Sequence, residues 1–213
     1  MGISYLLNKK ITAQLIILIL FISILPGCGA KKENQPKAGE MKFNVDTSKL
    51  GAFVVDSLYN LSFNPPLGWN EVGKKQIDEA GKAISKALAG TSRITVKPVF
   101  IFVNDTSGSV LNVAEIRLDS VKSDLDSQVA EYEKIMFSGK DSLKIKKAFY
   151  IKDGIKIAQF LIQKNGFVNF RLLFENGKGN LLQFDYLSKI EDYSNEVKAI
   201  ESSIGSIKLI KTY

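Results

Sequence analysis

The sequence contains no histidine in its 213 residues. Histidine is the commonest general base and the commonest protein ligand for metals, so its absence removes the usual basis of hydrolase and metal chemistry. The one cysteine, Cys28, excludes both an intrachain disulfide and a thiolate metal site. Walker, zincin and Gly-x-Ser-x-Gly motifs are also absent. We therefore expect no metal, no cofactor and no enzymatic activity, although catalysis by lysine or carboxylate groups stays open.

Charge of either sign is modest. The chain has 29 Lys+Arg and 22 Asp+Glu, a formal net charge of +7. Proteins that bind nucleic acid concentrate their basic residues in a dense patch, which this sequence does not show, so we expect no nucleic-acid partner. The small excess fits contact with anionic lipid or cell wall, and solubility alone explains it equally well.

Only one long hydrophobic run is present, between Leu15 and Leu25, and Ser23 is its one polar residue. The run follows the positive pair Lys9 and Lys10. It is too short to span a bilayer, which needs about 20 apolar residues. A positive region followed by a short apolar run is typical of a secretory signal peptide.

The run ends in Leu25-Pro26-Gly27-Cys28, which resembles the lipobox of bacterial lipoproteins. Pro26 stands where alanine or serine is usual. The resemblance implies cleavage before Cys28 and a diacylated or triacylated cysteine at the mature N-terminus. Several acyl chains anchor a protein stably, whereas a single chain binds the membrane only marginally. The alternative is an uncleaved membrane anchor with an incidental cysteine.

Three parts follow from this leader. Residues 1–27 are predicted to be the signal peptide. Residues 28–40 lack apolar periodicity and are predicted to be a flexible tether. Residues 41–213 are predicted to be a single domain in an aqueous compartment of the cell envelope, in the periplasm or outside the cell.

The centre of the predicted domain is an antiparallel meander. Three apolar runs, 155–164, 167–175 and 181–186, are separated by Asn165-Gly166 and by a loop at 176–180. Asn-Gly between alternating runs is a strong hairpin signal. A further strand at 143–151 precedes them. The row Val168, Phe170, Leu172 and Phe174 is predicted to be buried under helices, and the face with Asn169 and Arg171 only partly covered.

Apolar residues at helical spacing predict helices at 75–89, 123–137 and 193–204. Ser123 or Asp124 is the expected cap of the second helix. Gly90, Gly139 and Gly205 are the expected stops. Strands are expected at 53–63, 94–103, 110–118 and 206–210. Helices between antiparallel runs predict an α+β fold, with one central antiparallel sheet and helices packed on its faces.

The turn Pro66-Leu67-Gly68-Trp69, a helix before a long meander, and a closing helix followed by Ser-Ile-Lys-Leu resemble the PsbP-like fold. This fold is an α/β/α sandwich around an antiparallel sheet. It occurs in photosystem II extrinsic proteins, nuclear-transport cofactors and many bacterial lipoproteins. The resemblance covers residues 53–210 and implies a fold without an activity, since the members share none.

Two features are candidate contacts for a partner or ligand. Trp69, the only tryptophan, is either an aromatic platform at a cleft or a ring that closes the end of the sheet. Lys144, Lys146 and Lys147, with Lys152 and Lys156 across a turn, form a basic strip. The strip suits lipid headgroups, teichoic acid or an acidic partner, and edge lysines equally well prevent aggregation.

Two acidic patterns carry weaker interpretations. Asp119, Asp124 and Asp126, with Ser120 and Ser123, could supply oxygen ligands to calcium, but their spacing does not match an EF-hand. Carboxylates in a first helical turn are favoured by the helix dipole alone. Glu115 and Asp185 could form a glycosidase pair only if the fold brought them together.

The sequence thus predicts a monomeric, lipid-anchored envelope lipoprotein. Its domain is a non-enzymatic binding or assembly module for another envelope component. The alternative is a small-ligand-binding or hydrolytic lipoprotein with a cleft near Trp69. A deep cleft with convergent polar groups would favour the alternative, whereas an exposed patch would favour the partner.

Overall fold

The computed structural model describes residues 38–90, 93–119, 124–138, 143–179 and 181–210. Within them the chain forms strands and three α-helices. In chain order these are β1 (Gly39–Glu40), β2 (Val54–Asp56), β3 (Leu61–Phe63), β4 (Trp69–Glu71), α1 (Lys74–Ala87), β5 (Ile94–Asn104), β6 (Val110–Leu118), α2 (Leu125–Phe137), β7 (Lys144–Lys152), β8 (Ile155–Lys164), β9 (Phe167–Glu175), β10 (Leu181–Lys189), α3 (Ile190–Ser206) and β11 (Lys208–Leu209).

The main sheet has eight strands in the order β1-β7-β8-β9-β10-β6-β5-β4. All neighbours are antiparallel except β1, which runs parallel to β7. The meander of β7 to β10 is confirmed. Its Asn165-Gly166 turn has φ of 48° and 80°, and a two-residue hairpin turn of this type needs positive φ at both positions.

Helices α1 and α2 cover one face of the main sheet. Ile84 of α1 and Val129 of α2 are each at most 1% exposed, and they belong to one cluster with Phe160 and Leu173 of the meander. The apolar stripe that predicted α2 faces this cluster, as does the C-terminal part of the α1 stripe, whereas Ile77 and Ala80 of α1 pack in a smaller cluster with Ile101 and Val103. The first turn of α2 is capped by Asp124, as expected, because its carboxylate accepts the Ser127 N–H at 3.1 Å.

The opposite face is covered by α3 together with a second, three-stranded sheet in the order β11-β3-β2. Phe63 of β3 and Ile204 of α3 are buried in one cluster with Leu172, Phe174 and Phe184 of the meander. The α+β class is confirmed. The central sheet with helices on its faces is confirmed as well, and the structure adds a second, small sheet in which β3 pairs with β2 and with β11 over the main sheet.

The face that carries Asn169 and Arg171 is buried, so the expectation of partial cover is wrong. The two side chains are 0% and 2% exposed. Helix α2 places Tyr132 over the sheet, where its hydroxyl accepts a hydrogen bond from Arg171 Nη1 at 2.9 Å. In the row predicted to be buried, Val168, Leu172 and Phe174 are buried, whereas Phe170 is half-buried.

Gly205 does not end the last helix, because α3 continues to Ser206. A Cβ atom at Gly205 would lie 2.8 Å from Cβ of Phe43 and 2.6 Å from Cγ2 of Val45. The glycine therefore allows the segment with Phe43 and Val45 to cross the helix closely, and any larger residue at position 205 would clash with it.

Strand β1 lies within the segment predicted to be the tether. Gly39 and Glu40, the last two residues of the predicted tether, form β1 and pair with Tyr150 and Ile151. Cys28 and the rest of the leader, like the expected stop Gly139, lie outside the described residues. Among the helices described, none is long and apolar enough to cross a membrane.

Candidate functional site

Trp69 is part of the core. Its side chain is 5% exposed, and it shares a cluster with Phe63 and Phe102. The turn before it holds the backbone, because Trp69 N–H donates to the Pro66 carbonyl at 3.2 Å. The ring thus closes the end of the sheet under its own loop and presents little surface to a ligand.

The structure divides the predicted basic strip between two faces. Lys147 lies on the α2 side and donates to Glu133 Oε2 at 2.6 Å. Lys156 is on the same side and donates to Asp126 Oδ2 at 2.6 Å. Lys152 is almost buried and donates to the Ile207 carbonyl at 2.7 Å. These three ammonium groups already have partners within the protein.

Lys144 and Lys146 lie on the other face. Together with Ala148 they form one row, because every second residue of β7 points to the same face. The row continues to Tyr150, which belongs to the cluster under α3. Lys144, Lys146 and Ala148 are all exposed. Their cross-strand neighbours on β8 are Gln163, Leu161 and Gln159. We call these six residues the open face.

The open face has a border on α3. Phe170 pairs with Leu161 across β8 and β9, and its ring stacks on Tyr193 of α3 with centroids 5.7 Å apart. The face is therefore a strip of sheet that begins beside a helix and ends at the sheet edge. Two lysines, two glutamines and two apolar side chains give it a mixed polar and apolar character.

The open face also lies at an edge of the sheet. Strand β1 pairs with β7 only at Tyr150 and Ile151. In the described part of the chain, the stretch from Lys144 to Phe149 has β8 as its only neighbouring strand. Unpaired backbone groups at such an edge can accept another strand, and lysines there discourage unwanted pairing. Partner binding and protection against aggregation, the two interpretations of Lys144 and Lys146, both depend on this edge position.

Two of the acidic residues considered for calcium, Asp124 and Asp126, have other roles. Asp124 caps α2, and a hydrogen bond from the Ser127 N–H lowers the pKa of its carboxyl. Asp126 pairs with Lys156. Ser120 and Ser123 lie outside the described residues. Across the described ranges, no three His, Cys, Asp or Glu side chains are grouped to hold a metal ion.

Glu115 and Asp185 lie on opposite faces of the sheet. Glu115 pairs in register with Leu182, which belongs to the cluster under α3. Asp185 faces α2 and binds Arg171 through two hydrogen bonds of 2.8 and 3.0 Å. The two carboxylates cannot flank one substrate bond, so the glycosidase arrangement is absent.

A buried carboxylate that was not predicted lies near the start of α3. Glu196 is 8% exposed. It accepts hydrogen bonds from Ser107 at 2.5 Å and from Ser109 and Ser188 at 2.6 Å, and a fourth from Asn104 at 3.1 Å. Its position four residues before Ile200, within the apolar stripe, is the signal that could have revealed it.

A small pocket borders this cluster. It has a volume of about 70 Å³, and Ser107, Val110, Phe167 and Ser188 are among the residues that line it. Binding pockets for small molecules occupy about 300–1,000 Å³. The hydroxyls of the cluster are already engaged by Glu196, so they tie the β5–β6 loop and β10 to α3. The pocket is too small for a metabolite-sized ligand.

Comparison with known proteins assigns no family. No family model matches the chain, and no curated protein matches it. The chain is similar in structure to cyanobacterial PsbP (CyanoP) from Synechocystis sp. PCC 6803, whose structure was solved in solution. The TM-score is 0.46 and the identity 15%, over 87% of this chain and 98% of that chain. At these values the similarity carries no function to this chain.

Proposed function

We propose that the protein is a lipid-anchored module of a bacterial cell envelope that binds another envelope protein. Acylated Cys28 would hold it on the membrane. The folded domain would act by contact, without catalysis and as a monomer. The observation that carries the proposal is the open face, where Lys144 and Lys146 are exposed beside an edge of β7 that no other described strand covers.

The chemistry of the open face favours an acidic polypeptide. A partner strand added along Lys144 to Phe149 would gain backbone hydrogen bonds, and its alternate side chains would lie on the open face. Acidic residues at those alternate positions would meet the two lysines. Lys147, by contrast, is held by Glu133 on the other face and would contribute little to recognition.

The alternative, a small-ligand-binding or hydrolytic lipoprotein, has less support. It requires a cleft near Trp69, and that ring is buried. The pocket beside Glu196 is far smaller than a metabolite site, and its polar groups bind one another.

Charge reversal tests the proposal. Tagged full-length protein would be recovered from membranes with its bound proteins, either unchanged or with Lys144→Glu and Lys146→Glu together. The matched control is Lys82→Glu with Lys86→Glu, two exposed lysines on α1. We expect one co-purifying protein with the unchanged chain and with the control, and a loss of about tenfold or more with the open-face variant.

Equal recovery of that protein with both double variants would contradict the proposal. The edge-protection interpretation has its own readout. If the two lysines serve only to prevent strand pairing, Lys144→Thr with Lys146→Thr would produce self-associated protein on size-exclusion chromatography, and partner recovery would not depend on charge.

A further inference from the structure

Exposed large apolar side chains concentrate in one segment of the chain. Eight are exposed within the described residues; six belong to residues 41–67, and a seventh is Ile151. The Met41 N–H donates to the Ile151 carbonyl at 2.8 Å, so Ile151 adjoins the same segment. The eighth, Ile190, lies at the start of α3. Scattered apolar residues need no explanation, but such a concentration marks a contact surface.

The most exposed of these side chains lie on and beside the small sheet. Phe53, Val55 and Leu58 are 63%, 59% and 69% exposed. Phe53 and Val55 are two residues apart and so share a face. The register of the small sheet aligns Val55 with Ser62 and Ser62 with Lys208. The other face of that sheet carries Phe63, which is fully buried.

Two lysines flank these side chains. Lys208 is exposed on the outer face of the small sheet. Lys178 lies next to Leu58, because its ammonium group donates to the Ser57 carbonyl at 2.7 Å. We call Phe53, Val55, Leu58, Lys178 and Lys208 the apolar patch. Exposed apolar side chains with lysines beside them match a lipid interface, where the apolar groups enter the acyl boundary and lysines reach the headgroups.

The acidic groups near the apolar patch are engaged by neighbouring donors. Asp56 accepts the Tyr59 N–H at 3.0 Å. Asp153 is exposed and pairs with the ammonium group of Lys152 at 2.7 Å. That ion pair lowers the pKa of Asp153. Asp56 keeps its charge, but Lys152 offsets that of Asp153, so with Lys178 and Lys208 the local charge stays positive and suits anionic headgroups.

The described chain begins at the same end of the molecule. Strand β1 pairs with Tyr150 and Ile151, and the next residue, Lys152, donates to the Ile207 carbonyl at 2.7 Å. Ile207 directly precedes Lys208 of the apolar patch. Ten residues separate Cys28 from Gly39, and a chain of that length reaches at most about 40 Å. A lipid on Cys28 would therefore keep the patch close to the bilayer.

We propose that the apolar patch lies on the membrane surface to which the N-terminal lipid is attached. Its apolar side chains enter the acyl boundary, and its two lysines contact anionic headgroups. This inference rests on the proposed acylation of Cys28. The anchor keeps the patch at a high effective concentration near the surface, so a weak contact suffices to hold the domain in one orientation.

The test follows an environment-sensitive dye at the patch. Full-length Val55→Cys protein, isolated from membranes, would be labelled and reconstituted into phosphatidylcholine vesicles containing phosphatidylglycerol and a lipid-embedded quencher. Ile190→Cys, at an exposed apolar position outside the patch, is the matched control. We expect strong quenching at position 55 and little at position 190. Lys178→Gln and Lys208→Gln should each reduce the ratio of docked to undocked protein about fivefold.

If the dye shows equal, water-like fluorescence at positions 55 and 190 in protein that floats with the vesicles, the inference is overturned. The proposed acylation of Cys28 would not be affected by that result. Protection at position 55 in native membranes but not in vesicles would also overturn the inference, because a protein would then be the occupant. Loss of flotation, or dye bound at Cys28, would show that the anchor itself is missing and would refute both proposals. An acylated Cys28 has no free thiol and cannot react with the dye.

Discussion

The buried ion pair between Arg171 and Asp185 gives the sharpest test of how the main sheet is packed. Its side chains are 3% and 2% exposed, and two hydrogen bonds of 2.8 and 3.0 Å join them. Burial by itself lowers the pKa of Arg171, but the charges and hydrogen bonds of Asp185 and Tyr132 together outweigh it and raise the pKa above its ordinary value. The guanidinium is therefore charged at every pH at which the protein folds.

Arg171→Met removes the cation and keeps a side chain of similar length. Asp185 is then left buried, and among the described residues its one remaining donor is the amide of Gln183, at 3.5 Å. An uncompensated buried charge costs about 3–5 kcal/mol, a large share of the roughly 5–15 kcal/mol by which a domain is stable. We expect that loss in the free energy of unfolding measured by urea denaturation.

The double variant Arg171→Met with Asp185→Leu tests whether the lost stability comes from the unpaired charge of Asp185. It removes both charges, while Tyr132 keeps its hydrogen bond to Gln183 at 2.7 Å. Replacing a buried pair by apolar side chains is often neutral or stabilising, so we expect most of the lost stability to return. Lys74→Met, which breaks an exposed pair with Asp78, should change stability by no more than about 0.5 kcal/mol.

A loss below about 1 kcal/mol for Arg171→Met would refute the reasoning, because it would mean that this face is hydrated. A double variant that is less stable than Arg171→Met would show that Asp185 is stabilised by groups other than Arg171.

Two further predictions concern buried polar groups. Within the described residues, neither polar atom of the Asn169 side chain has a hydrogen-bond partner. Asn169→Leu should therefore raise the free energy of unfolding by about 1–2 kcal/mol, whereas the control Asn70→Leu on the surface should change it little. A clear loss of stability for Asn169→Leu would mean that the amide is hydrogen-bonded. Burial raises the pKa of Tyr132 from its ordinary 10.0 to about 12, and the pKa values of Tyr150 and Tyr186 rise for the same reason. As pH rises, the unfolded chain loses these protons before the folded chain does. The contribution of the buried tyrosines to the free energy of unfolding should therefore be fully present below pH 10 and fall from about pH 10 to 12, by about 1.4 kcal/mol per pH unit for each tyrosine. A free energy of unfolding that does not change over this range would contradict the burial.

The parts of the fold that could be predicted are those encoded locally. The β7–β10 meander follows from period-two alternation and from turns such as Asn165-Gly166. The three helices follow from apolar spacing. The small sheet could not be predicted in the same way, because its strands have two or three residues each. Its pairing also joins β3 to β11, almost 150 residues later in the chain.

The buried polar face shows a second limit. Arg171 and Asp185 alternate with apolar residues, a pattern typical of a solvated face. The pattern of one strand does not reveal that Tyr132, 39 residues before Arg171, is laid over it by a helix. At the open face, strand alternation does separate Lys144 and Lys146 from Lys147. Which of the two sides is left uncovered depends on where α2 and α3 pack, which no local pattern encodes.

Mass spectrometry of the N-terminal peptide of the protein isolated from its native membranes tests the account most directly. Lipid anchoring is the claim on which both the proposed role and the orientation at the membrane depend. The account predicts a mature chain that begins at Cys28 and carries two or three acyl groups, and Cys28→Ala should leave the precursor uncleaved. An unmodified peptide that continues from Gly27 into Cys28 would contradict it.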